Sequence, residues 1–279
     1  MKIWEAIIYG IFGGLAELLP VSFQGHYAFL RGAFGLSSLT QGEGCYIRAA
    51  LCLGVMAAIV LSFSGETRNV GNEILKMVGI KKQRRGDEKK ILLRRSILLC
   101  SFALVPMLLS LLYTSFADRI TSLLYTGILF AVNGLFLVLC FRDPQGEKSE
   151  QETTVLDTLL IGLARAVSIF PGLSSIGSSL SVGRVRGLTR DYSLRIACLL
   201  TLFYEGAAFL YYLIRAFIYG SFTAGTILPI LFALVFSTVF GYLGIQYLRY
   251  MLSREKLGHF SYYCWTMAGI VLLLSLINA

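Results

Sequence analysis

The chain has 279 residues, of which 56% are hydrophobic and only 15% charged, and its mean hydropathy is +0.70. Soluble globular chains carry about 25% charged residues, so a deficit of this size excludes an ordinary water-soluble domain and points to lipid as the solvent. The formal net charge of +9 does not indicate nucleic acid, because the basic residues gather in short tracts between apolar runs.

The first run, Ile3 to Leu19, has only Lys2 as a basic flank and contains Glu5 and Glu17. A polar motif follows it, where a signal peptide would have a small-residue cleavage site, so it is expected to belong to the mature fold. It reaches Pro20, then Val21, Ser22, Phe23, Gln24, Gly25 and His26, and continues in a short apolar arm, 27–36. Full-length apolar spans are expected at 46–63, 96–116 and 122–141, since about 20 apolar residues cross a bilayer. Segment 142–157, rich in Gln, Glu and Thr, reads as a linker. A second interrupted segment, 158–170, reaches Pro171 and a Gly/Ser-rich stretch, then a short arm to Val182. Three more spans are expected at 194–214, 226–248 and 261–277. These runs lack period-2 alternation and are too long for barrel strands. The six cysteines are scattered without CxxC spacing, which suits small apolar fillers better than metal or disulfide roles.

Threading the six spans alternately puts the basic tracts on one side. Segment 65–95 has ten basic residues, including Lys81, Lys82, Arg84 and Arg85, against four acids; 184–195 adds Arg184, Arg186, Arg190 and Arg195; 249–256 adds Arg249, Arg254 and Lys256. With the linker, that side holds 19 of the 25 Lys and Arg residues, so it is expected to be cytoplasmic, with both termini outside. Anionic lipid headgroups are the expected neighbours of these tracts, and nucleic acid is not an expected partner.

Each interrupted segment is expected to be a re-entrant hairpin, because an opened backbone in lipid must be buried in protein or line a wet cavity. Each half then reads hairpin plus three spans. Three crossings is an odd number, so the second half must be inverted relative to the first. The expected fold is an all-α polytopic membrane protein, a single domain of about six transmembrane helices plus two re-entrant hairpins in an inverted-topology repeat. Residues 1–141 form its first repeat, 142–157 the linker and 158–279 the second. The polar site is expected where the two breaks meet.

Glu17 stands just before the first break and His26 just after it. Such a pair can act as acid and base, ion-pair or hold a divalent cation; alternatively Glu17 caps a half-helix end and His26 bonds a backbone carbonyl. The second break offers Gly177 and the hydroxyls of Ser174, Ser175, Ser178 and Ser179, where amides at a half-helix N-terminus can bind phosphate oxygens. Arg165, in the arm before Pro171, needs an anion or a cavity at membrane depth. Gln24 is placed with this phosphate-binding set.

Gly13 to His26 is similar, without a gap, to the signature E-G-x-T-E-F-L-P-V-S-S-x-G-H of the undecaprenyl-diphosphate phosphatase (bacitracin-resistance) family. Pro171 to Ser179 resembles that family's second signature, P-G-x-S-R-S-G-x-T, and the order of spans agrees along nearly the whole chain. The resemblance implies hydrolysis of undecaprenyl diphosphate to the monophosphate, which recycles the carrier for peptidoglycan synthesis and confers bacitracin resistance. It also implies a bacterial plasma-membrane location, an outward-facing site and a divalent metal, magnesium or calcium. On the matching positions Glu17 serves metal or water, Ser22 is the first serine of the pair, His26 is general base or nucleophile, and Ser174 binds phosphate. Ser179 takes the place of the threonine. The substrate lipid and the surrounding membrane are the implied partners, and a homodimer is compatible with the scaffold.

The departures fall on the chemistry. Gly13 stands at the family's first glutamate, Ala16 at its threonine, Phe23 at the second serine, Ser175 at the arginine and Ile176 at the serine after it. Arg165 stands where the family commonly has glutamine, and it is expected to reach the cavity and restore the missing cation. Two readings follow: a phosphatase with altered site chemistry, or a non-catalytic polyprenyl-phosphate binding protein or translocase on the same scaffold.

Overall fold

The computed structural model describes residues 1–80, 88–113, 122–141 and 146–277. Lys81, Lys82, Arg84 and Arg85 of the basic tract, the end of the 96–116 span and residues 142–145 of the linker lie outside the described residues. Among the described residues the architecture is all helical, and the β pairing is one isolated bridge between Lys148 and Leu188. The first hairpin is α1 (Ile3–Leu18) and α2 (Phe23–Phe34), followed by α3 (Gly44–Ser62), α4 (Ser64–Met77), α5 (Glu88–Leu112) and α6 (Leu123–Phe141). The second hairpin is α7 (Val155–Val167) and α8 (Ser175–Val185), followed by α9 (Arg190–Tyr219), α10 (Ala224–Ser253) and α11 (Phe260–Ile277).

Five of these regions are long and apolar enough to cross a membrane: α3, Ile91–Leu112 within α5, α9, α10 and Leu257–Ile277, which contains α11. Helix α6 adds the shorter apolar stretch Leu123–Leu139. Large apolar side chains such as Leu61, Val105, Leu139, Phe217, Val235 and Leu273 point outward and exposed, as lipid-facing positions do. The chain is a multi-pass membrane protein. Cys45, Cys52, Cys100, Cys198 and Cys264 are buried and outside any disulfide.

Two local features depart from the simplest reading of the sequence. The basic segment 65–95 is not all loop. Within it α4 forms an amphipathic helix whose Val70 is buried, and Lys76 and Arg94 both bond Glu73, tying α4 to α5. These two hydrogen bonds hold the Glu73 carboxyl below its usual range. The linker ends earlier than expected, because Thr154 and Asp157 cap α7 reciprocally. Asp157, fully buried, also pairs with Arg186 at 2.6 Å and Lys148 at 3.5 Å, which pins the linker to the end of α8.

The first arm of each hairpin packs backbone to backbone on a neighbour through glycine, as close helix crossings in lipid require. A Cβ at Gly14 of α1 would lie 2.5 Å from the Ser237 carbonyl oxygen and 2.6 Å from the Gly241 nitrogen of α10. Gly162 of α7 abuts the Ala103 backbone of α5 in the same way. Gly14→Val is therefore expected to cost about 1–3 kcal/mol through overpacking, read as a lowered Tm in detergent. An unchanged Tm would mean that α1 and α10 do not meet this closely.

Candidate functional site

The two breaks meet. Ser22 caps α2 by accepting from the Gly25 N–H at 3.0 Å, and Ser174 caps α8 by accepting from the Gly177 N–H at 3.1 Å. Serine is favoured at an N-cap because its oxygen satisfies an otherwise orphaned amide. Each capping hydroxyl also reaches the opposite hairpin. Ser22 Oγ accepts from the Gly172 N–H at 3.0 Å, and Ser174 Oγ donates to the Leu19 carbonyl at 3.2 Å. Asn133 of α6 clamps the junction, donating to the Pro20 carbonyl at 3.2 Å and accepting from the Ser174 N–H at 3.0 Å. Gly172, at φ +114°, leaves no room for a side chain: its Cβ would sit 2.7 Å from the Thr126 carbonyl oxygen. The opened backbone is thus satisfied within protein, as a lipid environment demands.

Beside this junction lies a small charged pocket. Glu17, Gln24, Arg48, Arg165, Ser175 and Tyr204 line it, with Phe23, Ser168, Ile169 and Leu173 closing it, and its cavity volume is about 20 Å³. That is room for about one water molecule. The Ser175 hydroxyl donates to Glu17 Oε1 at 2.7 Å. Arg165 Nη2 lies 3.4 Å from the same oxygen and 3.6 Å from Glu205 Oε1 on α9. Glu17 is 6%, Arg165 2% and Glu205 1% exposed. The Arg165 guanidinium lies 4.6 Å over the Tyr204 ring, and Arg48 lies 4.3 Å over Phe23. Two arginines and two glutamates therefore share the protein interior, a balance that makes such deep charges tolerable. Nε and Nη1 of Arg165 make no hydrogen bond.

The candidate residues thus divide into groups. Glu17, Gln24, Arg165 and Ser175 share the pocket. Ser22 and Ser174 are buried at the junction with their hydroxyls committed to backbone groups. Gly177 gives its amide to Ser174, the Ser179 hydroxyl donates to the Ser175 carbonyl at 2.9 Å, and Ser178 is buried on α8. His26 does not line this pocket. Its Nδ1 lies 2.5 Å from the Ser22 carbonyl oxygen and its Nε2 2.5 Å from the Tyr263 hydroxyl. A carbonyl can only accept, so Nδ1 carries the proton and Nε2 accepts from Tyr263. The ring stacks on Tyr263 at 5.7 Å and faces an apolar groove of about 360 Å³ lined also by Phe12, Leu15, Leu19, Tyr247 and Met251.

Arg48, Glu205 and Asn133 are the additions that the structure makes to the site. Each stands as an isolated polar residue in an otherwise apolar run, the pattern by which functional or partnered groups in membrane helices declare themselves. Tyr263 has no such signal, because tyrosine is ordinary near the end of a membrane helix.

Among the described residues, no group of three or more His, Cys, Asp and Glu side chains stands together. Magnesium and calcium take six or more oxygen ligands. Here two carboxylates face each other with a guanidinium already between them, and Gly13 faces the Leu51 side chain, its Cβ position 3.1 Å from Leu51 Cδ2. These residues do not fit a divalent metal in this arrangement.

A family model described as bacitracin resistance protein BacA matches residues 6–271. Curated relatives named undecaprenyl-diphosphatase are similar over essentially the full length. One from Carboxydothermus hydrogenoformans is 29% identical over 98% of this chain and 98% of its own. One from Methanobrevibacter smithii is also 29% identical with the same coverage, and one from Halothermothrix orenii is 27% identical over 99% of both chains.

Proposed function

The chain belongs to the bacitracin resistance protein BacA family, and from that premise we propose that it hydrolyses undecaprenyl diphosphate to undecaprenyl phosphate and inorganic phosphate. The observation that carries the reading is the buried Glu17–Arg165–Ser175 cluster at the junction of the two broken helices. A diphosphate headgroup is an anion that needs fixed donors in a water-poor site. Arg165 offers two unpartnered nitrogens, the fork geometry that suits phosphate oxygens. Ser175, Gln24 and Arg48 line the same space.

In this reading a water oxygen attacks the distal phosphorus, and the bond from that phosphorus to the bridging oxygen breaks. The lipid monophosphate departs as the anion, and Glu17 accepts the proton from the water. Arg165 holds the phosphoryl oxygens as charge builds on them. His26 and Ser22 are positioning residues: the imidazole holds the Ser22 carbonyl, and the Ser22 hydroxyl holds the tip of the second hairpin. Its present volume suits a single water, so a headgroup enters only as the pocket widens.

The proposed setting is the bacterial plasma membrane, with the basic helix ends cytoplasmic and both termini and the pocket facing outward. Two features support an inverted repeat of 1–141 and 158–279. Both second arms are capped by serine, and α1 packs on α10 as α7 packs on α5. A homodimer belongs to the same proposal.

The test is phosphate release from undecaprenyl diphosphate by the purified protein in lipid nanodiscs. Stoichiometric release is expected. Lipid that binds, detected by native mass spectrometry, with no phosphate released would replace the phosphatase by the binding protein or translocase.

A further inference from the structure

We propose that the Arg165 guanidinium is the resident cation of this site, standing between Glu17 and Glu205 where a divalent metal would otherwise bridge them, so that hydrolysis needs no added metal. The inference rests on the phosphatase reading and extends it to the source of positive charge. Three observations on the structure carry it.

The first is position. One nitrogen, Nη2, lies at nearly equal distances from the two carboxylates, 3.4 Å from Glu17 and 3.6 Å from Glu205. Each carboxylate comes from a different helix, so the guanidinium joins α1, α7 and α9 as a bridging ion would. The second is charge. With Arg48 beside it the cluster is already balanced, two arginines against two glutamates, and all four are buried. A divalent ion added to this set would leave an uncompensated double positive charge in a low-dielectric interior. Arginine cannot relieve that by losing a proton.

The third is the character of the unpaired atoms. Nε and Nη1 of Arg165 are buried donors without a protein partner, and such groups are rare in native interiors unless water or a ligand completes them. A bound phosphoryl group would complete them while Nη2 stays between the carboxylates. One guanidinium can therefore touch the substrate and both anchoring acids at once, with Arg48 supplying the second positive charge, a task that a metal performs elsewhere by bridging protein and phosphate oxygens.

The experiment uses the full chain in neutral-lipid nanodiscs. Equilibrium binding of calcium-45 is measured without substrate for the wild type, Glu17→Gln/Glu205→Gln, Arg165→Gln, and Arg165→Gln/Glu205→Gln. The wild type is expected to bind no more calcium than the double glutamate variant. Arg165→Gln should gain one saturable site that Arg165→Gln/Glu205→Gln loses. Phosphate release by the wild type is expected to change less than about twofold in EDTA, whereas removing a working metal would cost on the order of a hundredfold or more.

Calcium bound by the wild type through Glu17 and Glu205 overturns the proposal. So does release that EDTA abolishes and magnesium restores, or a folded Arg165→Gln that gains no site. If Arg165→Gln does not fold, by size exclusion and Tm, the wild-type arms decide alone. Should the wild type release no phosphate under either condition, the phosphatase reading fails, and calcium binding still decides what occupies the site.

Discussion

Glu17→Gln is expected to lower kcat for phosphate release by on the order of 10²–10⁴-fold, the range for loss of a positioned general base. The side chain keeps its length and its amide oxygen can still accept from Ser175, which donates to Glu17 at 2.7 Å. What vanishes is the capacity to take a proton from water. The loss should therefore fall on kcat more than on KM, since the headgroup donors of Arg165 remain.

The same substitution removes one of the two acids facing a buried guanidinium, which costs about 3–5 kcal/mol when a charge is left without compensation. Glu205 still faces Arg165 at 3.6 Å, so the lower end applies. Glu205→Gln supplies the control. It should lower Tm to a similar extent while keeping far more of kcat, because Glu205 does not line the pocket. Equal losses of kcat in the two variants would mean that Glu17 acts through the ion pair and not as a base.

Asn133→Leu is expected to be the most damaging single change outside the charged cluster. Leucine keeps the branching at Cγ but is larger, so lost hydrogen bonding and some overpacking at this buried position act together. Leucine would orphan the Ser174 amide, which Asn133 holds at 3.0 Å, and leave the Pro20 carbonyl, held at 3.2 Å, with only the weak Cys264 thiol donor at 3.8 Å. A buried orphan costs about 1–3 kcal/mol, and both weakened groups lie at the junction that positions Glu17 and Ser175. A fall in Tm with near-complete loss of phosphate release is the expected pair of results. Full activity at an unchanged Tm would show that the two tips hold together without the clamp.

Much of this is legible in the sequence, and the reasons are local. Span lengths and the two Pro/Gly/Ser breaks are properties of short windows, so the helices and hairpins follow from them. The meeting of Glu17, Arg165 and Ser175 follows from one further step, that two opened backbones in lipid must satisfy each other.

What was not legible depends on how helices roll. Glu17 and His26 flank one break, yet α2 turns the imidazole toward Tyr263 and an apolar groove, away from Glu17. No spacing rule fixes that roll, because it is set by packing between α2, α6 and α11. Arg48 and Glu205 carried a readable signal as lone charges in apolar spans. The signatures at the breaks drew attention away from them. In the basic segment 65–95, charge density hid an amphipathic helix whose buried face amounts to little more than Val70 and Glu73.

Glu17 and Arg165 are separated by 148 positions along the chain, and this distance bears on biogenesis. The first hairpin leaves the ribosome long before α6 to α9 exist, so its carboxylate and opened carbonyls enter the membrane without their eventual partners. Glu17 must then stay near the headgroups, or be held by insertion machinery, until the later helices emerge. Tyr263, which bonds His26, follows it by 237 positions. The arrangement therefore couples maturation of the site to synthesis of α6 through α11, and chains terminated before α11 would insert without becoming competent.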